Sequence, residues 1–198
     1  MKKILILESE WRKHPHAPST ETRSTSAIYR LALRGFPGVQ ADCQPLTCQA
    51  GQRIRDFTRL PENRRGVHAV ILSGHGSFLP DNRRALAAND GLLLADDAAD
   101  ALDARHSLLI ADACFLGQNL PAWLARIPAL GVLGFGNEVN WTASSVLIHA
   151  VLRHWLEEGV FHLQRASARR PARALQRLHA GPHAQLAAAQ GLAWAFRQ

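Results

Sequence analysis

Val67-His68-Ala69-Val70-Ile71-Leu72-Ser73-Gly74-His75-Gly76 decides the fold. An apolar run of strand length that stops abruptly in small and polar residues is the pattern of a parallel strand buried on both faces, seen at its carboxyl end. Ser107-Leu108-Leu109-Ile110-Ala111-Asp112-Ala113-Cys114 repeats the form. Outward from these two stretches, short apolar runs alternate with longer helical patterns, which predicts an α/β fold: a three-layer α/β/α sandwich with a mainly parallel central sheet. Residues 3–8 read as a first strand. A polar loop with His14 and His16 leads to Ser19, Thr20 and Glu21, start signals for a helix reaching about Arg34 with Ile28, Leu31 and Ala32 facing inward. Gly35, Pro37 and Gly38 end it. A strand over 39–46 and a helix over 52–60, closed by Pro61, follow. Residues 91–94 read as a small extra strand, 95–104 and 121–126 as helical, 131–135 as a strand and 142–157 as a helix cut by Gly159. From Phe161 onward the pattern is helical apart from Pro171 and Gly181-Pro182. With no repeat and no Ser/Gly linker, residues 1–198 read as one domain with a helical C-terminal segment over about 161–198.

Composition excludes several classes. At 198 residues, 47% hydrophobic and 20% charged, the chain can bury a sizeable core and is not disordered throughout. No apolar run approaches the roughly 18 to 20 residues of a membrane span, and Met1 to Leu7 reads as a strand rather than a signal peptide. The three cysteines, Cys43, Cys48 and Cys114, are too few and too unevenly spaced for a disulfide scaffold, so a reducing cytoplasm is expected. Lys plus Arg number 23 against 16 Asp plus Glu, a net charge of +7. Arg165, Arg169, Arg170, Arg173, Arg177 and Arg197 face no acidic residue after Leu163, a balance that could meet phosphates, although a helical arginine face is ordinarily just solvated.

Ligands of such a sheet bind beyond the carboxyl ends of its strands, where loops diverge and helix N-termini offer unpaired N–H groups. Both reactive side chains, His75 and Cys114, stand at such ends. If the two strands are neighbours, thiol and imidazole emerge on one rim, and the interval between them has room for one helical crossover and a small hairpin. A cysteine attacks as its thiolate, and a nearby imidazole can take the proton or stabilise the charge. Attack on an amide carbonyl puts negative charge on oxygen, which the backbone N–H groups of Gly76 and Cys114 could hold. Glycine at 76 removes a Cβ that would crowd an approaching carbonyl, and Ala113 keeps the approach open.

These residues resemble the caspase-like cysteine peptidases, a group (clan CD) that includes caspases, metacaspases, gingipains, separase and the bacterial CHAT domains. The shared pattern is an apolar strand ending in His-Gly and a second ending in a small residue and the catalytic cysteine; here these are Val70 to Gly76 and Ile110 to Cys114. Gly131-Val132-Leu133-Gly134-Phe135-Gly136-Asn137-Glu138-Val139-Asn140-Trp141 is similar to the strand and loop after the cysteine helix in CHAT proteins. The resemblance covers roughly residues 1–160 and lies toward the bacterial and metacaspase end, since Asp112 and Phe115 depart from the caspase residues around the nucleophile. It implies a caspase-hemoglobinase fold, a hydrolase with a His75/Cys114 catalytic dyad and no cofactor, and a protein or peptide substrate. In metacaspases an aspartate two positions before the nucleophile meets a basic substrate side chain. Asp112 holds that offset, which implies cleavage after Arg or Lys, and Glu138 could add a second carboxylate by a bidentate guanidinium contact. Activation by a partner protein or small ligand that orders the loops after Gly76 and Gly136 is expected, and relatives of the CHAT type work in bacterial immunity or regulated cell death.

Blander readings stand beside these. Asp112 could cap the helix after Cys114, and Glu138 could be a surface charge beside Trp141. Arg23, near the start of the first helix, reads as solvated. His14 and His16 with Cys43 and Cys48 match no zinc spacing, so no metal is expected. No Walker motif and no G-x-G-x-x-G leading into a helix is present, which disfavours a nucleotide cofactor. Two readings from other classes remain: a catalytically silent caspase-like module that binds partners through the same rim, and an arginine-mediated nucleic-acid binder, for which the basic C-terminal segment is the only support.

Overall fold

Alternation along the first strand, β1 (Lys2–Glu8), divides the core in two. Ile4 and Ile6 join one buried cluster while Leu5 and Leu7 join another, as the two-residue period of a strand requires when both faces are covered. The computed structural model describes residues 2–9, 25–60, 68–79, 84–94, 107–126, 129–159 and 169–197. In order after β1 come α1 (Thr25–Leu33), β2 (Val39–Pro45), α2 (Ala50–Arg59), β3 (His68–Ser73), β4 (Gly76–Phe78), β5 (Arg84–Ala88), β6 (Gly91–Leu94) and β7 (Ser107–Asp112). A 3-10 turn (Leu116–Asn119), α3 (Leu120–Arg126), β8 (Gly131–Phe135), α4 (Trp141–Glu157), α5 (Arg169–Ala180), α6 (Ala184–Ala189) and β9 (Leu192–Phe196) complete the fold.

The central sheet has six strands in the order β2-β1-β3-β7-β8-β9. Its neighbours are parallel except β9, which runs antiparallel to β8. One face is covered by α1, α4, α5 and α6 through Tyr29, Leu147, Leu175 and Ala187. Ile54 and Phe57 of α2, Leu86 and Leu93 of the hairpin strands and Trp123 of α3 cover the other. The three-layer α/β/α sandwich expected from the alternation of elements is the fold. No helix among the described residues is long and apolar enough to cross a membrane.

Two expectations are corrected. The inward stripe of α1 is Tyr29 and Leu33, both buried, whereas Ile28 and Leu31 are exposed; the Ala32 side chain lies outside the described residues. Arg84-Ala85-Leu86-Ala87-Ala88, to which no element was assigned from the sequence, forms β5 and pairs antiparallel with both β4 and β6 in a small second sheet. The C-terminal segment is not helical to its end. Gly191 takes a left-handed φ of 62° after α6, and Leu192–Phe196 then pairs with β8 from Phe135↔Leu192 to Gly131↔Phe196. A Cβ at Gly131 would overlap the Phe196 ring, so that glycine admits the last aromatic residue of the sheet. The expected helix over 95–104, the start signals at Ser19 to Glu21, Arg23, and the histidines His14 and His16 lie outside the described residues.

Candidate active site

Register brings the two motifs together. β3 and β7 are adjacent and parallel with Ser73 opposite Asp112, and the Gly74 N–H donates to the Asp112 carbonyl at 3.2 Å. Both chains therefore leave the sheet at the same edge. His75 lies in the turn from β3 into β4, where its carbonyl accepts from Ala87 N–H at 2.8 Å. Gly76 stands opposite Leu86. Since that ladder bond lies beside the pair and not within it, the Gly76 N–H is turned away from β5. A Cβ at Gly76 would overlap the Cys114 carbonyl oxygen and lie 2.7 Å from its carbonyl carbon. Glycine is thus needed because the Cys114 turn packs directly against it, not to clear space for an incoming carbonyl.

A single loop touches both reactive groups. The Val139 N–H donates to Cys114 Sγ at 3.2 Å, and the Trp141 ring meets the His75 ring edge-on with centroids 5.8 Å apart at 83°. Phe115, immediately after Cys114, has φ of 63° and is the one non-glycine residue with positive φ among the described residues. A bulky side chain seldom occupies that region, and such strain gathers at functional turns. Here the Phe115 N–H donates to the Asn137 carbonyl at 3.1 Å, fastening the turn to the same loop.

The thiol is half-buried. Burial pushes its pKa up, the Val139 N–H pulls it down, and the charge of Glu138 pushes it up again; the net direction is upward. A preformed thiolate would show the opposite shift.

Asp112 does not cap the helix that follows. It is fully buried and lies beneath the rim, accepting from Tyr29 Oη at 2.5 Å and Ser73 Oγ at 3.1 Å. Burial raises its pKa, while hydrogen bonds from Tyr29, Ser144 and Ser73 act against that rise. Its Oδ1 is buried without a hydrogen-bond partner among the described residues. Glu138 is exposed, so the two carboxylates lie in unlike surroundings, one enclosed and the other in solvent.

Tyr29 and Val139 were not singled out as site residues by sequence reasoning. Only Tyr29 carried a usable signal, being the sole tyrosine in the chain, since a buried phenol needs a hydrogen-bond partner. The loop after Gly136, expected to be ordered from outside, is already tied to the chain's own C-terminal turn. Gly136 N–H donates to Gly191 C=O at 2.8 Å and Asn137 Nδ2 to Ala189 C=O at 3.0 Å. Among the described residues no group of three or more His, Cys, Asp or Glu could hold a metal ion. No protein-family model matches the chain, and no curated protein matches it.

Proposed function

We propose that the chain is a caspase-like cysteine endopeptidase in which His75 and Cys114 hydrolyse peptide bonds. The observation that carries this reading is the backbone contact of Gly76 with Cys114 at the shared carboxyl edge of β3 and β7. In the reaction, the Cys114 thiol loses its proton to His75 as sulfur attacks the carbonyl carbon. The tetrahedral oxyanion is held by the N–H groups of Gly76 and Cys114. His75 returns the proton to the departing amine, leaving a thioester, and water activated by His75 releases the acid and restores the thiol. The upward shift of the thiol makes a proton acceptor necessary rather than optional.

Cleavage after Arg or Lys rests on Asp112, whose unpaired Oδ1 is an acceptor suited to a guanidinium. An enclosed carboxyl cannot meet a substrate, so the reading requires an activated form in which Asp112 is uncovered and ionised, with Glu138 at the pocket mouth. A partner protein or small ligand would act on this cover. A cytoplasmic setting in bacterial immunity or regulated cell death belongs to the same proposal.

Two measurements test it. Fluorogenic peptides with Arg, Lys, Asp or Leu before the scissile bond should be cleaved after Arg and Lys, and activity should vanish in Cys114→Ala and in His75→Ala. Full activity in either folded variant would sink the dyad, while preference for Asp would remove only the role of Asp112. The raised thiol pKa favours a second reading, a catalytically silent module that binds partners through the same rim. A covalent thiol probe separates them: an active dyad labels at Cys114 ahead of Cys43 and Cys48, although Cys48 is the exposed cysteine. The nucleic-acid reading has less support, because Arg177 pairs with Glu158 and Arg170 donates to the Glu158 carbonyl.

A further inference from the structure

The loop that touches both Cys114 and His75 is held from two sides by glutamines. On one side, the Asn140 N–H donates to Gln190 Oε1 at 2.8 Å. That contact reinforces the bonds from Gly136 to Gly191 and from Asn137 to Ala189 in the turn before β9. On the other, Gln118 Nε2 donates to the Gly136 carbonyl at 2.8 Å, and Gln118 Oε1 accepts from Arg84 Nη2 at 2.6 Å. Arg84 belongs to β5, within the hairpin that begins at His75-Gly76. The backbone of Gly117 packs so closely on residues 134–136 that a Cβ there would lie 2.6 Å from the Phe135 carbonyl carbon. Between the two clamps lies Val139, whose N–H reaches the sulfur, and directly after the second, at Asn140, comes Trp141, whose ring meets the imidazole.

We infer that Gln190 and Gln118 are positioning residues that fix the 136–141 loop from its two flanks and thereby set the reactivity of Cys114. The inference rests on the peptidase reading for its consequence in catalysis but not for its consequence at the thiol. The two glutamines use opposite ends of the amide. Gln190 serves as an acceptor, so glutamate can replace it. Gln118 must donate to Gly136 while accepting from Arg84, so glutamate cannot.

The test is the pH dependence of iodoacetamide alkylation at Cys114 in the full-length chain, resolved by peptide mass, with Cys48 as internal reference. It is run alongside kcat and KM for peptide cleavage. Gln190→Ala should slow Cys114 alkylation about threefold to tenfold and move its midpoint to higher pH, as expected for loosening one hydrogen bond. It should lower kcat with KM held. Gln190→Glu should stay within about twofold of the parent at about 1 M salt, where charge effects are screened beyond about 3 Å. Gln118→Glu should behave like Gln190→Ala, and it carries the test if Gln190→Ala fails to fold. Parent-like alkylation in folded Gln190→Ala or Gln118→Glu, or no rescue by Gln190→Glu, overturns the positioning role even if Cys114-dependent hydrolysis is intact. Conversely, a parent protein that neither hydrolyses peptides nor labels at Cys114 ahead of the exposed Cys48 defeats the peptidase reading, while the alkylation series still decides the positioning role.

Discussion

Asp112 and Cys114 leave the same strand two positions apart, yet they occupy opposite surroundings. Asp112 is sealed in a polar layer with hydroxyls from Tyr29, Ser73 and Ser144 drawn from three elements. Cys114 is half-buried, and its sulfur accepts from the Val139 N–H. Burial raises the pKa of both, but the carboxyl is enclosed by groups it stabilises whereas the thiol borders a rim where a substrate could approach. The difference separates a stabilising layer from a reactive edge: mutations below the rim should act on folding and those on it on chemistry. Cys114→Ala against Asp112→Ala is the strongest way to break that division. The first should cost at least about 10³-fold in hydrolysis while leaving the urea midpoint almost unchanged. The second removes the buried acceptor of the Tyr29 and Ser73 hydroxyls and should cost about 3 kcal/mol of stability. A destabilised Cys114→Ala, or an Asp112→Ala as stable as the parent, would merge the two regions.

Gly76→Ala sharpens the boundary from the rim side. Its Cβ cannot be accommodated by a rotamer change, because the atoms it would meet are the Cys114 backbone, so one of the two turns must shift. A displacement of about 1 Å at a nucleophile is enough for about 10²-fold in rate. Parent-like kcat/KM in a folded Gly76→Ala protein would show that the contact between the turns does not set catalytic geometry.

Close backbone contacts and strand exits were legible because they impose composition. β3, β7 and β8 appear as unbroken apolar runs, and the contact at Gly76 leaves a glycine in the sequence, although for a reason other than the one expected. The layer beneath the rim left much less trace. Tyr29 sits one position from Ile28 on α1, and hydropathy alone places Ile28 inside. The pairing of Tyr29 with Asp112, 83 positions away, reverses that choice. Strand β9 was hidden because Leu192-Ala193-Trp194-Ala195-Phe196 continues an alanine-rich helical pattern, and only partnership with β8 makes it extended. The clamps at Gln118 and Gln190 are contacts to backbone atoms, and any loop carries such atoms whatever its side chains. The enclosed layer predicts that Tyr29→Phe, which keeps the ring and removes one donor to Asp112, costs about 1 to 2 kcal/mol in urea unfolding. An unchanged midpoint would mean that Ser73 and Ser144 suffice to satisfy the carboxyl.

The smallest effect is the most specific to the buried side of the comparison. Burial holds the Asp112 carboxyl above the ordinary carboxylate range. The native chain therefore keeps that proton at pH values where the unfolded chain, with an ordinary value of about 3.9, has released it. Its contribution to stability is fully present below the unfolded value and is lost as pH rises through the folded one. Asp112→Asn keeps a carbonyl oxygen for the Tyr29 and Ser73 hydroxyls but cannot titrate, so it lacks this loss. The parent's urea midpoint should fall relative to that of Asp112→Asn as pH rises from about 4 toward neutrality, below the range where Cys114 titrates. Parallel profiles would place Asp112 in the ionised form throughout. The carboxylate would then already be charged beneath the rim, and uncovering it would be the whole of the activation step.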